Sequence, residues 1–118
     1  MKNTNTNSTR YYSDLHEKSV CSALKAKQQS NSGAGKFRKG DVININASLL
    51  VECKTVMKDK DSVSIKKEWV EKNKSEAFSQ NLSNSCIAFN FGPSKPNFYV
   101  IDEKLMKYLV EKLEEEND

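Results

Sequence analysis

An acid at the head of one apolar stretch, followed by an acid–lysine pair inside the next, constrains this chain more than any other feature. Asp41-Val42-Ile43-Asn44-Ile45-Asn46, the short link Ala47-Ser48 and Leu49-Leu50-Val51-Glu52-Cys53-Lys54 read as a β-hairpin. Side chains two apart on a strand share a face, so Glu52 and Lys54 project together and Cys53 turns away from them. A turn centred near position 47 pairs Asp41 with position 53 and sets its carboxylate diagonally beside Glu52 and Lys54. Two carboxylates and an ammonium on one patch can hold a divalent cation and activate a water for phosphodiester cleavage. The competing account is an edge-strand ion pair, although a charged pair in an apolar β-like stretch is costly without a function. Asp102-Glu103-Lys104 repeats the acid-x-lysine spacing, but it lies at a strand-to-helix joint, where first-turn acids are ordinary.

A chain of 118 residues fits one domain, since ~100–200 residues per domain is usual. With 36% hydrophobic and 30% charged residues, a soluble protein with a modest core is expected. No run approaches the ~18 apolar residues of a membrane span, and no signal-peptide hydrophobic region precedes the first helix, so no membrane partner is expected. Cys21, Cys53 and Cys86 are odd in number and widely spaced, which suits buried thiols in a reducing, cytoplasmic setting. One histidine and dispersed cysteines do not make a structural zinc site. The net charge of +3 is uneven: residues 1–75 hold 15 Lys/Arg against 8 Asp/Glu, and residues 76–118 hold 4 against 8. That polarity suits a polyanion docking on one side, as well as an ordinary solvated surface.

Residues 1–11 read as a disordered polar arm and residues 12–118 as the single domain. A helix is expected from Ser13 or Asp14, where Asp14 and Glu17 have capping-box spacing. Glu17, Val20, Cys21 and Leu24 then share one face, and an acid on an apolar stripe is either a functional group or a half-exposed edge residue. A short strand is expected near Lys27-Gln28-Gln29. The loop after it carries Ser30, Ser32, Lys36, Arg38 and Lys39 among three glycines, a donor-rich segment suited to phosphate, though without Walker spacing. Beyond a charged turn at 57–61, Ser64 reads as the cap of a helix to about Gln80, with Trp69 taken as core. Lys66 and Lys67 fall in its first turn, where the helix dipole favours an anion, so a phosphate partner would account for them. An apolar strand over 85–91, the turn Gly92-Pro93-Ser94-Lys95-Pro96 and a returning strand over 97–101 follow. A last helix from about Asp102 repeats Leu105, Leu109 and Leu113.

A helical Glu17, then Ser32-Gly33-Ala34-Gly35, Gly40-Asp41, Val51-Glu52-Cys53-Lys54-Thr55 and Ser64-Ile65-Lys66-Lys67-Glu68-Trp69 together resemble the PD-(D/E)xK nuclease superfamily. More narrowly, over roughly residues 12–102, the chain is similar to archaeal-type Holliday junction resolvases and their phage-encoded relatives, with Gly40 where the motif usually has proline. The resemblance implies an α/β fold with a restriction-endonuclease-like core. This is a central mixed β-sheet of about five strands flanked by helices, in the order α-β-β-β-α-β-β-α. It implies Asp41 and Glu52 as metal-binding carboxylates, the Cys53 backbone carbonyl as a further ligand, and Glu17 completing the site directly or through water. Lys54 would position or deprotonate the attacking water, or stabilise the phosphorane charge, and Ser32 would contact the scissile phosphate or the branch point. Mg²⁺ is the implied cofactor, with Mn²⁺ able to substitute, and no small-molecule cofactor is expected. The implied partners are four-way-junction DNA and a second copy in a two-fold homodimer, acting in the host cytoplasm if phage-encoded. A nuclease of the same fold acting on other DNA, or a non-catalytic DNA-binding module, are the alternatives.

Overall fold

In Leu49-Leu50-Val51-Glu52-Cys53-Lys54 an apolar start passes into alternation from Val51 to Lys54, so this segment forms a strand with two unlike faces, and the sheet is built around it. A computed structural model describes residues 9–29 and 41–118. Its elements are α1 (Thr9–Leu24), β1 (Lys27–Gln28), β2 (Val42–Asn44), β3 (Leu49–Lys54), α2 (Lys67–Ser79), β4 (Asn84–Phe89), β5 (Phe98–Val100) and α3 (Glu103–Glu116). The strands form one mixed five-stranded sheet in the order β1-β2-β3-β4-β5, in an α/β fold with three helices. Only β3 and β4 run parallel. Parallel neighbours need a crossover, and α2 provides it.

Each face of β3 has its own helix. Val51 and Cys53 join Val42, Cys86 and Ala88 beneath Val20, with Cys21 and Leu24 packed alongside, so α1 covers this side. Leu50 points the other way, into a smaller cluster with Ala77 and Leu82, so α2 covers that one. The three cysteines are free, and Cys53 and Cys86 are buried.

The helices α1 and α2 differ from expectation in where they begin. The first starts by Thr9 rather than at Ser13 or Asp14, taking in residues 9–11 of the expected arm. Tyr11 and Tyr12 meet edge to face at 5.2 Å, and the Thr9 hydroxyl reaches Met57 Sδ at 3.4 Å, which holds this first turn down. Asp14 does not cap; it pairs with Lys18 at 3.0 Å. The buried residues of α1 are His16 and Val20, so the core stripe is turned from the expected one and leaves Glu17 at its margin. His16 is only 4% exposed and shares a 2.9 Å hydrogen bond with Thr55 Oγ1; burial disfavours the charged ring and lowers its pKa. The helix expected from Ser64 begins at Lys67, with Lys66 as an extended N-cap that offers no side-chain cap. In α3, Asp102 is the cap, accepting the Leu105 N–H at 2.9 Å, as a strand-to-helix acid should. Ser30, Ser32, Lys36, Arg38 and Lys39 lie outside the described residues. No described helix is long and apolar enough to cross a membrane.

Leu50 is fully buried between sheet and α2. Leu50→Ala is expected to cost about 2–5 kcal/mol, read as a lower urea midpoint at unchanged slope.

Candidate active site

The position of Asp41 is set by strand register. Val42 stands opposite Val51, Ile43 opposite Leu50 and Asn44 opposite Leu49. The turn is therefore centred half a residue before position 47, and Asp41 falls level with Glu52 instead of position 53. This corrects the expected pairing, and the correction decides the site. Directly opposed residues project to the same side, so the expected register would have sent Asp41 toward Cys53 and the core. A shift of one residue puts it with Glu52 and Lys54. The ladder ends there: the Asp41 N–H donates to Val51 O at 3.1 Å, and its carboxylate Oδ2 accepts the Cys53 N–H at 2.8 Å. The Cys53 carbonyl leaves the strand on the same edge as that N–H, toward Asp41. Its thiol turns into the core, where burial and the surrounding acids push it far above its usual range, so only the backbone of Cys53 serves the site.

Lys54 Nζ lies 3.6 Å from Glu52 Oε2 and 4.3 Å from the centre of the Trp69 ring. Lys66 Nζ stands 5.7 Å from the same ring. Trp69 is thus a half-buried wall of the site and not the core residue expected; an indole between two ammonium groups is a cation–π arrangement. With Glu52, Lys54, Glu68, Lys72 and Asn73 it lines a cleft of about 440 Å³ between β3 and α2. Lys72 and Asn73 are site residues that sequence reasoning missed. Their spacing from Trp69, three and four positions on, was the available signal, because it sets all three on one helix face. Asn73 is buried, and its Nδ2 meets no acceptor among the described residues. Lys67 points to solvent and pairs with Glu71 at 3.9 Å, outside the cleft.

Glu17 does not join the carboxylate pair. Its Oε1 accepts from Gln28 Nε2 at 3.0 Å, the same amide that donates to Asp14 at 3.0 Å. It remains within electrostatic reach, since the Asp41 charge raises its pKa. Among the described residues, no three His, Cys, Asp or Glu side chains are grouped to hold a metal ion; the assembled part is Asp41, Glu52, Lys54 and the Cys53 backbone.

All three carboxyls are raised above their ordinary range, with burial as the leading cause. Glu52 is pushed up to about 7 by burial and then by the Asp41 charge, against the pull of Lys54. Asp41 is raised less freely, because the Cys53 N–H and the charges of Lys54 and Lys72 favour its ionised form.

A raised carboxyl makes the folded protein bind an extra proton between the unfolded and folded pKa values. Stability therefore falls as pH rises from 4.5 toward 7. Discounted for partial exposure, Glu52 contributes a decline on the order of 1–2 kcal/mol. Glu52→Gln is expected to flatten it, so the variant should gain on the parent at pH 8 relative to pH 5 in urea melts. An unchanged slope with pH would refute the assignment.

Compared with protein-family models, curated proteins and solved structures, the chain matches none of them.

Proposed function

We propose that this chain is a metal-dependent DNA endonuclease that resolves four-way junctions by paired nicks. The observation that carries the chemistry is the desolvated pair Asp41–Glu52 beside Lys54, with Glu17 raised in the same field. Carboxyls that share a partly dry site resist ionisation until a cation compensates them. The donor set fits magnesium, which favours one or two carboxylates with waters and substrate phosphate oxygens over an all-protein cage. Asp41, Glu52 and the Cys53 carbonyl would hold the ion, with Glu17 acting through water. Magnesium, or manganese in its place, supplies positive charge at the scissile phosphate and lowers the pKa of water.

The chain's own groups supply the rest. Lys54, held between Glu52 and the Trp69 ring, presents a fixed positive charge where the phosphorane charge develops. Lys66 and Lys72 flank the cleft and suit the neighbouring phosphates, and the Trp69 face suits an unstacked base. In-line attack of water then leaves a 5′-phosphate and a 3′-hydroxyl. The choice of a four-way junction, and of a dimer cutting two strands, is supported by the motif resemblance over residues 12–102. Three free cysteines suit a reducing intracellular compartment.

The test is a labelled four-way junction and a linear duplex of matching sequence, each with Mg²⁺ or EDTA. Symmetric metal-dependent nicks on the junction alone are expected. Equal cutting of duplex would assign a general nuclease, and binding without cleavage would remove the enzyme reading. Asp41→Asn should abolish cutting while retaining junction binding, and Lys54→Ala should slow it by about 10²–10³-fold. Trp69→Ala should weaken binding more than it slows the bound complex.

A further inference from the structure

Asn73 stands in the middle of α2, four residues after Trp69 and four before Ala77, so the three share the helix face turned toward β3. Asparagine is a poor choice there on two counts. Its amide competes with the helix backbone, and burying it is costly unless its donors are paired. Ala77, one turn on, meets Leu50 and Leu82 in an apolar cluster. Asn73 is as deeply buried, at 3% exposed, yet its Nδ2 meets no acceptor among the described residues. Buried amide groups are hydrogen-bonded almost without exception, so an unpaired donor calls for a reason.

Its place supplies one. Asn73 lines the cleft of about 440 Å³ together with Glu52, Lys54, Glu68, Trp69 and Lys72. Either carboxylate of that lining could accept from Nδ2, and neither does. The acceptor therefore arrives with the ligand, and Lys54 and Lys72 make a phosphate oxygen the acceptor that this cleft attracts. We propose, on the nuclease reading of this site, that Asn73 is a further catalytic residue, donating from Nδ2 to a non-bridging oxygen of the scissile phosphate.

A neutral amide does there what a lysine does not. An ammonium offsets charge from any direction, whereas an amide donates along its N–H bonds and so fixes where the oxygen sits. The terminal torsion of asparagine is broad and two-fold, so the amide can turn its donor to an arriving oxygen while the rest of the side chain stays in place. No proton changes hands: the bond strengthens as charge builds on the oxygen and relaxes when the product leaves.

Asn73→Leu keeps the shape of the side chain and removes the donor. With enzyme in excess over a labelled junction and Mg²⁺ present, it should cut about 10²-fold more slowly than the parent, or slower still. Its urea midpoint should nevertheless rise, and by more than that of Ser75→Leu, which lies on the exposed side of the same helix and reports the gain in helix propensity alone. Sulfur accepts hydrogen bonds poorly. One phosphorothioate diastereomer at the scissile position should slow the parent but slow Asn73→Leu little further, because both changes remove the same bond. A midpoint that falls, or rises less than that of Ser75→Leu, would place the partner of the amide within the folded protein. A parental cleavage rate would leave Asn73 no part in the reaction, and additive losses with both diastereomers would remove the phosphate contact. Any of these overturns the role of Asn73 while the nuclease reading stands. A parent that cuts neither junction nor duplex would remove the nuclease reading itself, and this role with it.

Discussion

The pairing of Val42 with Val51 is the constraint on which the candidate site rests. It puts Val42, Val51 and Cys53 on the side covered by α1, and by the same stroke brings Asp41 level with Glu52. Sheet pairing has a side-chain period of two, so no intermediate arrangement exists: a slip of one residue would bury an aspartate in the core and expose the valines. The apolar face therefore holds the acidic face in place. Asp41 makes the arrangement firmer by accepting the Cys53 N–H where β2 has no further residue to pair.

Glu52 and Lys54 occupy the end of β3 that α2 overhangs without filling. Leu50, Ala77 and Leu82 seal the sheet toward the other end, and from Asn73 to Trp69 the interface opens into a polar cleft. The same helix thus serves as core at one end and as site wall at the other. This accounts for the raised carboxyls: the groups are dry enough to resist ionisation and open enough to admit a ligand. Stability given up at such a place is common where a protein must bind charge.

The eight elements and their order were legible because their signals are local: the apolar run that opens β3, the Gly-Pro turn before β5, and the acid cap of α3. Helix starts were less so. Ser64 is a good cap by composition, yet Lys66 holds that place with no side-chain bond. The register escaped notice for a physical reason. Ala47-Ser48 reads as a two-residue link, but the turn takes four residues, with Ser48 at φ 53° and the Asn44 side chain accepting the Ala47 N–H at 2.9 Å. Trp69 was misplaced for the opposite reason. A tryptophan signals core by its size, yet here it lies within cation–π reach of Lys54 and Lys66 and walls the cleft.

The sheet lays its strands down in chain order, so every strand pairs with the one before it. Closing each new pairing costs the entropy of one intervening segment and never of the whole chain. The β2–β3 hairpin closes over the shortest of these segments, whereas β3 and β4 pair across the whole of α2. The assembled residues all fall between Asp41 and Asn73, within three consecutive elements. The candidate site is thus a nearly self-contained stretch of chain, and its two carboxylates are brought level by the β2–β3 pairing, to which β4, β5 and α3 contribute no residue.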